Sequence, residues 1–331
     1  MGLIRLMLAI AVLLSHVDLR IAGLNPGVMA VVGFYMISGY VMTGVVLRYY
    51  ADIRRSFAFY CDRVLRLYPH YFAIVFCAAT WQQFTGSTNL FLTRDATAID
   101  LFNNLLIFPM NFFMWNAADQ FALVPPSWSL GAELQFYLLA PAVILIPVAL
   151  WILTIASIAV QVCAWLGVLH PEWFGYRLAP GVFCFFVYGV LLYRVTHSAI
   201  GKSYQWASAM MTLGAVAIAV ASLVWLRSQG LHAVPYHQEV LLGFAVGSGL
   251  LFLGSKLPRG RWDDRLGDLA YGVFLNHFLL IWVFWGSATP SPAQISVLIA
   301  LSLLTAMLLH RLIEQPMLRF RHRLRRKGSN G

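Results

Sequence analysis

Residues 6–20 read LMLAIAVLLSHVDLR, an apolar run that closes with a histidine, an aspartate and an arginine. Similar runs recur along the whole chain of 331 residues, of which 60% are hydrophobic and 11% are charged. Globular proteins are about 45–50% apolar and about 25% charged. An α-helix needs about 20 apolar residues to cross a bilayer core about 30 Å thick. The sequence therefore predicts an all-α, polytopic membrane protein.

The hydropathy pattern predicts about ten membrane-spanning helices in one domain, because the polar stretches between them are too short for a second one. The predicted spans are 3–20, 27–48, 67–84, 129–147, 149–168, 178–195, 205–226, 238–256, 268–286 and 292–312. We assign residues 1–320 to the transmembrane domain and residues 321–331 to a basic tail. Residues 101–113, LFNNLLIFPMNFF, are too short and too rich in asparagine to cross, so we expect an interfacial or re-entrant segment.

The formal charge of +10 could indicate a nucleic-acid partner, but the distribution of the basic residues along the chain is better explained by membrane topology. With a cytoplasmic N-terminus, eighteen of the 23 lysine and arginine residues fall on the inner side and four on the outer side, while Arg5 lies at the inner end of the first span. This is the positive-inside pattern, so we expect both termini in the cytoplasm. The first segment resembles a signal peptide, but SHVDLRIAGLNP is a poor cleavage region, and we expect the segment to be retained.

Four cysteines lie in or beside predicted spans, and they are Cys61, Cys77, Cys163 and Cys184. They show neither a CxxC pair nor the spacing of metal ligands, so we interpret them as small apolar residues of the bundle. The sequence therefore predicts no disulfide and no bound metal.

The first predicted span carries two ionisable residues on one face. Arg5 and His16 are eleven positions apart, which in a helix is three turns plus about 20°, or about 16 Å along the axis. Ionisable side chains within a membrane are costly, and they usually mark a functional site or a buried pair. We interpret His16 as a candidate for acid–base chemistry, with a structural hydrogen bond as the alternative.

The stretch SFAFYCDRVLRLYPHYF leads into the third span and places Arg63 and Arg66 next to each other on a helix. A pair of planar guanidinium groups can grip phosphate oxygens bidentately. The two arginines are therefore candidates for binding a phosphate-containing ligand. Anchoring of the helix at the membrane interface is the alternative.

The fourth span lies in LVPPSWSLGAELQFYLLAP, where two prolines can precede a helix but cannot sit inside it. We expect the helix to start near Trp128 and to enter from the outer side, with Trp128 in the interfacial belt. Glu133 then lies about 8 Å below the outer boundary, a depth similar to that predicted for His16. The carboxylate and the imidazole could form an acid–base pair, an orienting pair or a buried salt bridge.

Six stretches, in this order along the chain, resemble the acyltransferase-3 family of integral membrane acyltransferases. They are the Arg-x10-His pair of the first span (Arg5 and His16) and the segments GFYMISGY, RVLRLYPHY, SWSLGAELQFY, AYGVFLNHFLL and IEQP. Each stretch alone is a weak signal. Their order on a chain with ten predicted spans, from residue 5 to residue 320, makes the resemblance specific.

The resemblance implies transfer of an acyl group, commonly acetyl, from cytosolic acyl-coenzyme A to a hydroxyl of an extracytoplasmic carbohydrate or glycolipid at the bacterial inner membrane. By position in the motifs, the implied catalytic residues are His16 and Glu133. The implied coenzyme A ligands are Arg5, Arg63 and Arg66. Further candidates for contacts with the substrate or the oxyanion are Ser38, Trp128 and His277.

Simpler interpretations remain for several of these residues. Ser38 and Gly39 could serve close helix packing, and His277 could be a buried core histidine. A proton-coupled transporter of a small anionic solute is the rival function, with His16 and Glu133 as its proton relay. A non-catalytic scaffold would leave the ionisable face of the first span unexplained. The chain shows no internal repeat and no matched pair of interrupted helices, which many transporters carry, so we favour the enzyme.

Overall fold

The computed structural model describes residues 1–197, 203–258, 260–286, 288 and 290–318, and for residues 203–205 it describes the backbone alone. Within these ranges the chain is helical and contains no β-strand. The α-helices are α1 Gly2–Ser15, α2 Pro26–Tyr49, α3 Ser56–Thr85, α4 Ala98–Leu106, α5 Phe113–Asn116, α6 Ser127–Leu145, α7 Pro147–Trp165, α8 Ala179–Thr196, α9 Ser203–Ser228, α10 His237–Lys256, α11 Arg261–Trp285 and α12 Pro292–Leu309. Two π-helical segments, Trp173–Arg177 and His310–Glu314, precede α8 and follow α12. The predicted basic tail, 321–331, lies outside the described residues.

Eight helices in the described ranges are long and apolar enough to cross a membrane. They are Pro26–Tyr49, Ser127–Leu145, Pro147–Trp165, Trp173–Thr196, Trp206–Ser228, His237–Lys256, Arg261–Trp285 and Pro292–Leu318. The prediction of an all-α, polytopic membrane protein is therefore confirmed. The two other predicted spans, 3–20 and 67–84, fall on α1 and α3, which differ from the prediction in length and polarity.

The helix α1 is shorter than the predicted first span, because it ends at Ser15. Its 14 residues correspond to about 21 Å, which is less than the thickness of the bilayer core. His16 caps the helix, and its backbone N–H donates to the Leu13 carbonyl at 3.1 Å. Asp18 then adopts a left-handed conformation, with φ of 62°, which turns the chain away from the helix axis. His16 therefore lies at the end of α1 and not one turn inside it, contrary to the predicted boundary.

The helix α3 is longer and more polar than the predicted third span. It has 30 residues, or about 45 Å, and it accommodates Pro69 in its interior. It also carries Asp62, Arg63 and His70, whose side chains are buried in the bundle. Charged groups on a membrane helix are stable only where they face protein or water. The polar face of α3 therefore points to the bundle interior. These polar residues lower the mean hydropathy of α3 below that of an ordinary span.

The helix α2 packs against α1, α6, α8 and α10. Its crossing with α8 depends on two glycines. A Cβ on Gly39 would overlap the backbone carbonyl of Phe186, and a Cβ on Gly189 would overlap that of Met36. Small residues of this kind let membrane helices approach closely. The packing role considered for Gly39 is therefore correct, and Gly189 is its counterpart on α8.

Replacing Gly189 with alanine should destabilise the bundle by about 1–3 kcal/mol, because the added methyl group overlaps the α2 backbone. The matched control is Gly249→Ala on α10, where a Cβ would meet no atom within 4 Å. Alanine favours a helix over glycine by about 1 kcal/mol, so the control should be neutral or stabilising. Thermal unfolding of the two purified variants in detergent measures the difference. Equal melting temperatures would mean that the crossing tolerates a methyl group.

The segment between α3 and α6 forms a folded insert whose helices are too short to cross a bilayer. The side-chain amide of Asn104 donates to the carbonyls of Asp100 and Phe121, both at 2.8 Å. Its oxygen accepts the N–H of Leu123 at 2.9 Å. Buried backbone groups in irregular chain need such partners. The Asn104 side chain thereby satisfies three backbone groups of the insert.

An ion pair within the insert fixes its first helix. Asp100 is buried and accepts hydrogen bonds from two guanidinium nitrogens of Arg94, at 2.5 and 2.8 Å, and from the backbone N–H of Thr97 at 3.0 Å. Burial by itself would raise the pKa of Asp100, but the hydrogen bonds from Arg94 and Thr97 outweigh burial and hold this pKa below its usual range. The carboxylate is therefore charged at neutral pH and pairs with Arg94 there.

Candidate active site

A cavity inside the bundle brings together residues that are far apart in the sequence. We name it the arginine cavity, and its volume is about 120 Å³. Its polar lining comprises Arg5, Tyr35, Ser38, Arg63, Arg66, Ser129, Glu133, Tyr137 and Tyr271. These residues come from α1, α2, α3, α6 and α11. The three arginines that the motifs assign to coenzyme A thus share one cavity with Glu133 and Ser38.

The carboxylate of Glu133 organises one wall of the arginine cavity. Ser38 Oγ and the Tyr137 hydroxyl both donate to Glu133 Oε1, the latter at 2.5 Å. The proton of Ser38 is therefore directed at a carboxylate and is not free for an oxyanion. Tyr137 is a residue that sequence reasoning missed. Its position four residues after Glu133, on the same face of the helix, is the signal that could have revealed it.

The three arginines of the cavity differ in how their charge is neutralised. Arg63 forms an ion pair with Asp62, and Arg66 forms one with Glu314, which follows α12. Both pairs are largely buried. Arg5, in contrast, has no hydrogen-bond or ion-pair partner within the part of the chain that the structure describes. Its charge is therefore open to an anionic ligand without the loss of an existing pair.

His16 lies at the opposite end of α1 from Arg5, where its exposed side chain lines two further cavities. The larger, which we name the histidine cavity, has a volume of about 370 Å³ and a lining that includes Asp119, Trp128, Glu172 and Arg177. The second has a volume of about 330 Å³ and a lining that includes Asp18, Asn89, Phe278 and Trp282. Both volumes fall within the range of small-molecule pockets, about 300–1,000 Å³.

Arg177 closes one side of the histidine cavity, and no motif in the sequence pointed to it. Its side chain donates to Glu172 at 2.6 Å. Its guanidinium carbon lies over the rings of Trp128 at 4.7 Å, Phe113 at 5.1 Å, Tyr176 at 5.5 Å and Tyr236 at 5.8 Å. Asn111 of the insert donates to the carbonyls of Trp128 at 3.0 Å and of Arg177 at 2.9 Å. Trp128 is therefore held as a wall of this cavity by contacts on its ring and its backbone.

His277 on α11 lies against the ring of His16. The two imidazoles are stacked, with centroids 5.3 Å apart and planes inclined by 17°, and Phe278 contacts the His16 ring at 4.5 Å. His277 is fully buried, and its Nδ1 donates to the Val273 carbonyl at 3.1 Å. His16, in contrast, makes no side-chain hydrogen bond to any described residue. The structural hydrogen bond considered for His16 is thus absent from the described part of the chain, and stacking positions its ring.

His16 and Glu133 do not meet, contrary to the similar depth inferred from the predicted spans. Glu133 lines the arginine cavity and His16 lines the histidine cavity, and no hydrogen bond or ion pair among the described residues joins their side chains. The early end of α1 explains this separation, because His16 lies beyond the helix, whereas Glu133 lies about 9 Å inside α6. The role of each residue therefore depends on its own cavity.

Comparison with known proteins decides the family. The family model described as an acyltransferase domain matches residues 1–311. The chain belongs to the acyltransferase-3 family. An uncharacterized protein of Aquifex aeolicus (strain VF5) is 36% identical over 169 residues, which make up 48% of this chain and 71% of that protein. No solved structure matches the chain. As a member of the acyltransferase-3 family, this polytopic protein is a membrane acyltransferase.

Proposed function

We propose that this acyltransferase works in the bacterial inner membrane and moves an acyl group, preferably acetyl, from cytosolic acyl-coenzyme A to a hydroxyl of an extracytoplasmic carbohydrate or glycolipid. The observation that carries the proposal is the placement of Arg5 and His16 at opposite ends of α1, each in the wall of a cavity. One helix thereby connects a cationic site with a site that contains an imidazole. Transfer across a membrane needs such a division between donor and acceptor.

The arginine cavity suits the phosphate groups of the donor. Guanidinium groups bind phosphate oxygens through charge-assisted hydrogen bonds, which contribute about 1.5–3 kcal/mol each. Arg5 can make such a bond without losing a partner, whereas Arg66 would share its charge with Glu314. The positive-inside distribution of basic residues supports a cytosolic position for this end of the bundle.

The histidine cavity suits the acceptor. Trp128 and Phe113 offer aromatic surface, and Asp119 and Glu172 offer carboxylate oxygens that accept hydrogen bonds from hydroxyl groups. Ligand pockets commonly combine such apolar walls with a few polar groups that fix orientation. A sugar ring has both an apolar face and several hydroxyls. We therefore assign the acceptor sugar to this cavity, beside His16.

The proposed chemistry uses His16 as the general base. The imidazole accepts the proton of the acceptor hydroxyl while the hydroxyl oxygen attacks the thioester carbon, and the carbonyl oxygen becomes an oxyanion. The C–S bond then breaks, and the leaving thiolate takes the proton from the imidazolium, which gives the ester and free coenzyme A. General-base help of this kind is worth about 10²–10⁴-fold in rate. Glu133 acts as a positioning residue, since its carboxylate holds Ser38 and Tyr137.

Mass spectrometry of surface glycans from strains with and without the gene tests this function. We expect acyl groups on the glycans to disappear when the gene is deleted and to return when it is restored. Restoration with the His16→Ala gene should leave the glycans unacylated. Unchanged glycan acylation, together with altered uptake of an anionic solute, would support the proton-coupled transporter instead.

Arg5→Ala should weaken the binding of acetyl-coenzyme A about tenfold or more, because one charge-assisted contact to phosphate is lost. Thermal stability should stay unchanged, because Arg5 has no partner among the described residues that its removal would leave unpaired. Calorimetric titration of the purified protein with acetyl-coenzyme A measures the effect. Arg48→Ala, which removes an exposed arginine near the end of α2, is the control and should bind like the wild type. Equal affinities for all three proteins would remove Arg5 from the donor site.

A further inference from the structure

The helix α2 presents a tyrosine to the arginine cavity one turn before Ser38. Tyr35 is 3% exposed, and its ring packs against Phe186 of α8 with centroids 4.6 Å apart. Phe186 is in turn stacked on Phe136 of α6 at 4.5 Å. Phe186, itself packed on Phe136, therefore supports the tyrosine ring at the cavity wall.

The hydroxyl of Tyr35 differs from the other hydroxyls of this cavity. Five hydroxyl side chains line it, and four of them donate to a protein oxygen: Ser38 and Tyr137 to Glu133, Ser129 to the Pro126 carbonyl, and Tyr271 to the Leu67 carbonyl. The Tyr35 hydroxyl is buried and has no partner among the described residues. A buried hydroxyl without a partner is costly and rare, so each instance calls for an explanation.

The position of Tyr35 relates the two cavities to each other. Its hydroxyl is within electrostatic reach of Glu133, in the arginine cavity, and of Arg177, in the histidine cavity. Arg177 is also within electrostatic reach of His16. The free hydroxyl therefore belongs to the arginine cavity, and the charge of Arg177 in the histidine cavity still acts on it. In the proposed function, the donor occupies the arginine cavity, where this hydroxyl is available to the carbonyl oxygen of its thioester.

We propose that the Tyr35 hydroxyl is the hydrogen-bond donor to the thioester carbonyl oxygen and to the oxyanion that forms from it. The inference rests on the proposed function. The tyrosine keeps its proton throughout, because the proton of the acceptor passes to His16 and then to the leaving thiolate. A neutral donor that is already held in place stabilises the charge as it develops, with no reorganisation at the moment of reaction. We thus assign to Tyr35 the oxyanion contact that the sequence suggested for Ser38, which lies one turn further along α2.

Tyr35→Phe tests the proposal, because it removes the hydroxyl and keeps the ring that packs on Phe186. The assay follows single-turnover transfer from acetyl-coenzyme A to surface glycan isolated from a strain that lacks the gene. We expect the rate to fall by about 10²- to 10³-fold, the usual loss for one oxyanion donor, with unchanged acetyl-coenzyme A affinity. The matched control is Tyr188→Phe, since the Tyr188 hydroxyl is also buried but contacts Thr212 at 3.4 Å. This control should transfer like the wild type.

The possible outcomes separate this inference from the proposed function. A wild-type protein that transfers no acyl group would overturn the function and the inference together. If the wild type and Tyr35→Phe both transfer at the normal rate, the inference alone is overturned. It is also overturned if weaker binding of acetyl-coenzyme A by Tyr35→Phe accounts for its lower rate. Infrared spectroscopy of bound [13C]acetyl-coenzyme A needs only the wild type. A thioester carbonyl stretch at lower frequency than in solution is expected, and an unshifted band would contradict the proposal.

Discussion

His16→Ala should lower the rate of acyl transfer by at least about 100-fold while leaving the affinity for acetyl-coenzyme A unchanged. The imidazole acts on the proton of the acceptor hydroxyl, and it lies at the far end of α1 from Arg5. Folding should be little affected, because the His16 side chain is exposed to cavities and makes no hydrogen bond to a described residue. Single-turnover transfer to glycan from a strain without the gene measures the rate.

The control for this variant is His170→Ala, which removes an exposed histidine whose ring is stacked on Trp173. It should transfer acyl groups like the wild type. A histidine with a structural role would behave differently, since its loss would lower thermal stability first and activity only in proportion. A well-folded His16→Ala protein with a near wild-type rate would exclude His16 as the general base and leave the proposed chemistry without its proton acceptor.

Glu314→Ala should destabilise the protein by about 3–5 kcal/mol, because it removes the carboxylate that pairs with the Arg66 guanidinium inside the bundle. The exposed Arg20–Asp18 pair provides the control, since such pairs are worth about 0–1 kcal/mol, and Arg20→Ala should unfold like the wild type. Unfolding in detergent, followed by circular dichroism, measures both variants. Equal melting temperatures for Glu314→Ala and Arg20→Ala would mean that the buried pair contributes no stability.

A double substitution sharpens this test. Arg66→Met combined with Glu314→Met removes both charges of the pair, and it should cost less stability than Glu314→Met by itself. The same protein separates structural from ligand-binding roles of Arg66. If Arg66 also contacts the donor phosphates, the double variant should be stable yet bind acetyl-coenzyme A more weakly. Arg66→Met alone completes the comparison. A loss of stability in the double variant equal to the sum of the losses in the two single variants would show that the charges do not interact.

The sequence-based spans agree with the structure where an apolar run has clear boundaries. Residues 27–48 were predicted for α2, which runs over Pro26–Tyr49, and residues 238–256 for α10, which runs over His237–Lys256. The third span, 67–84, covers only part of α3, because hydropathy does not distinguish a polar face buried between helices from a polar loop. The hydropathy pattern therefore predicts the presence of a helix better than it predicts where the helices that contribute site residues begin and end.

The sequence also predicted only part of the arrangement of the candidate site. The spacing of Arg5 and His16 placed both residues on one face of α1, and that helix does bring them to the walls of cavities at its two ends. The inferred pairing of His16 with Glu133 failed, because it depended on relative depth in two different helices. Which of these residues act in transfer stays a prediction that the variants above will test.

The sequence by itself determined that the chain is a bundle of membrane helices, and it identified the acyltransferase-3 motifs, because periodicity and motif spacing are local properties. Only the tertiary structure decided which polar groups are already satisfied. Glu314 neutralises Arg66 from the far end of the chain, whereas Arg5 and the Tyr35 hydroxyl are left without partners among the described residues. The physical reason is that an ion pair or a hydrogen bond needs its atoms within about 3–4 Å, and the packing of helices distant in sequence sets those distances.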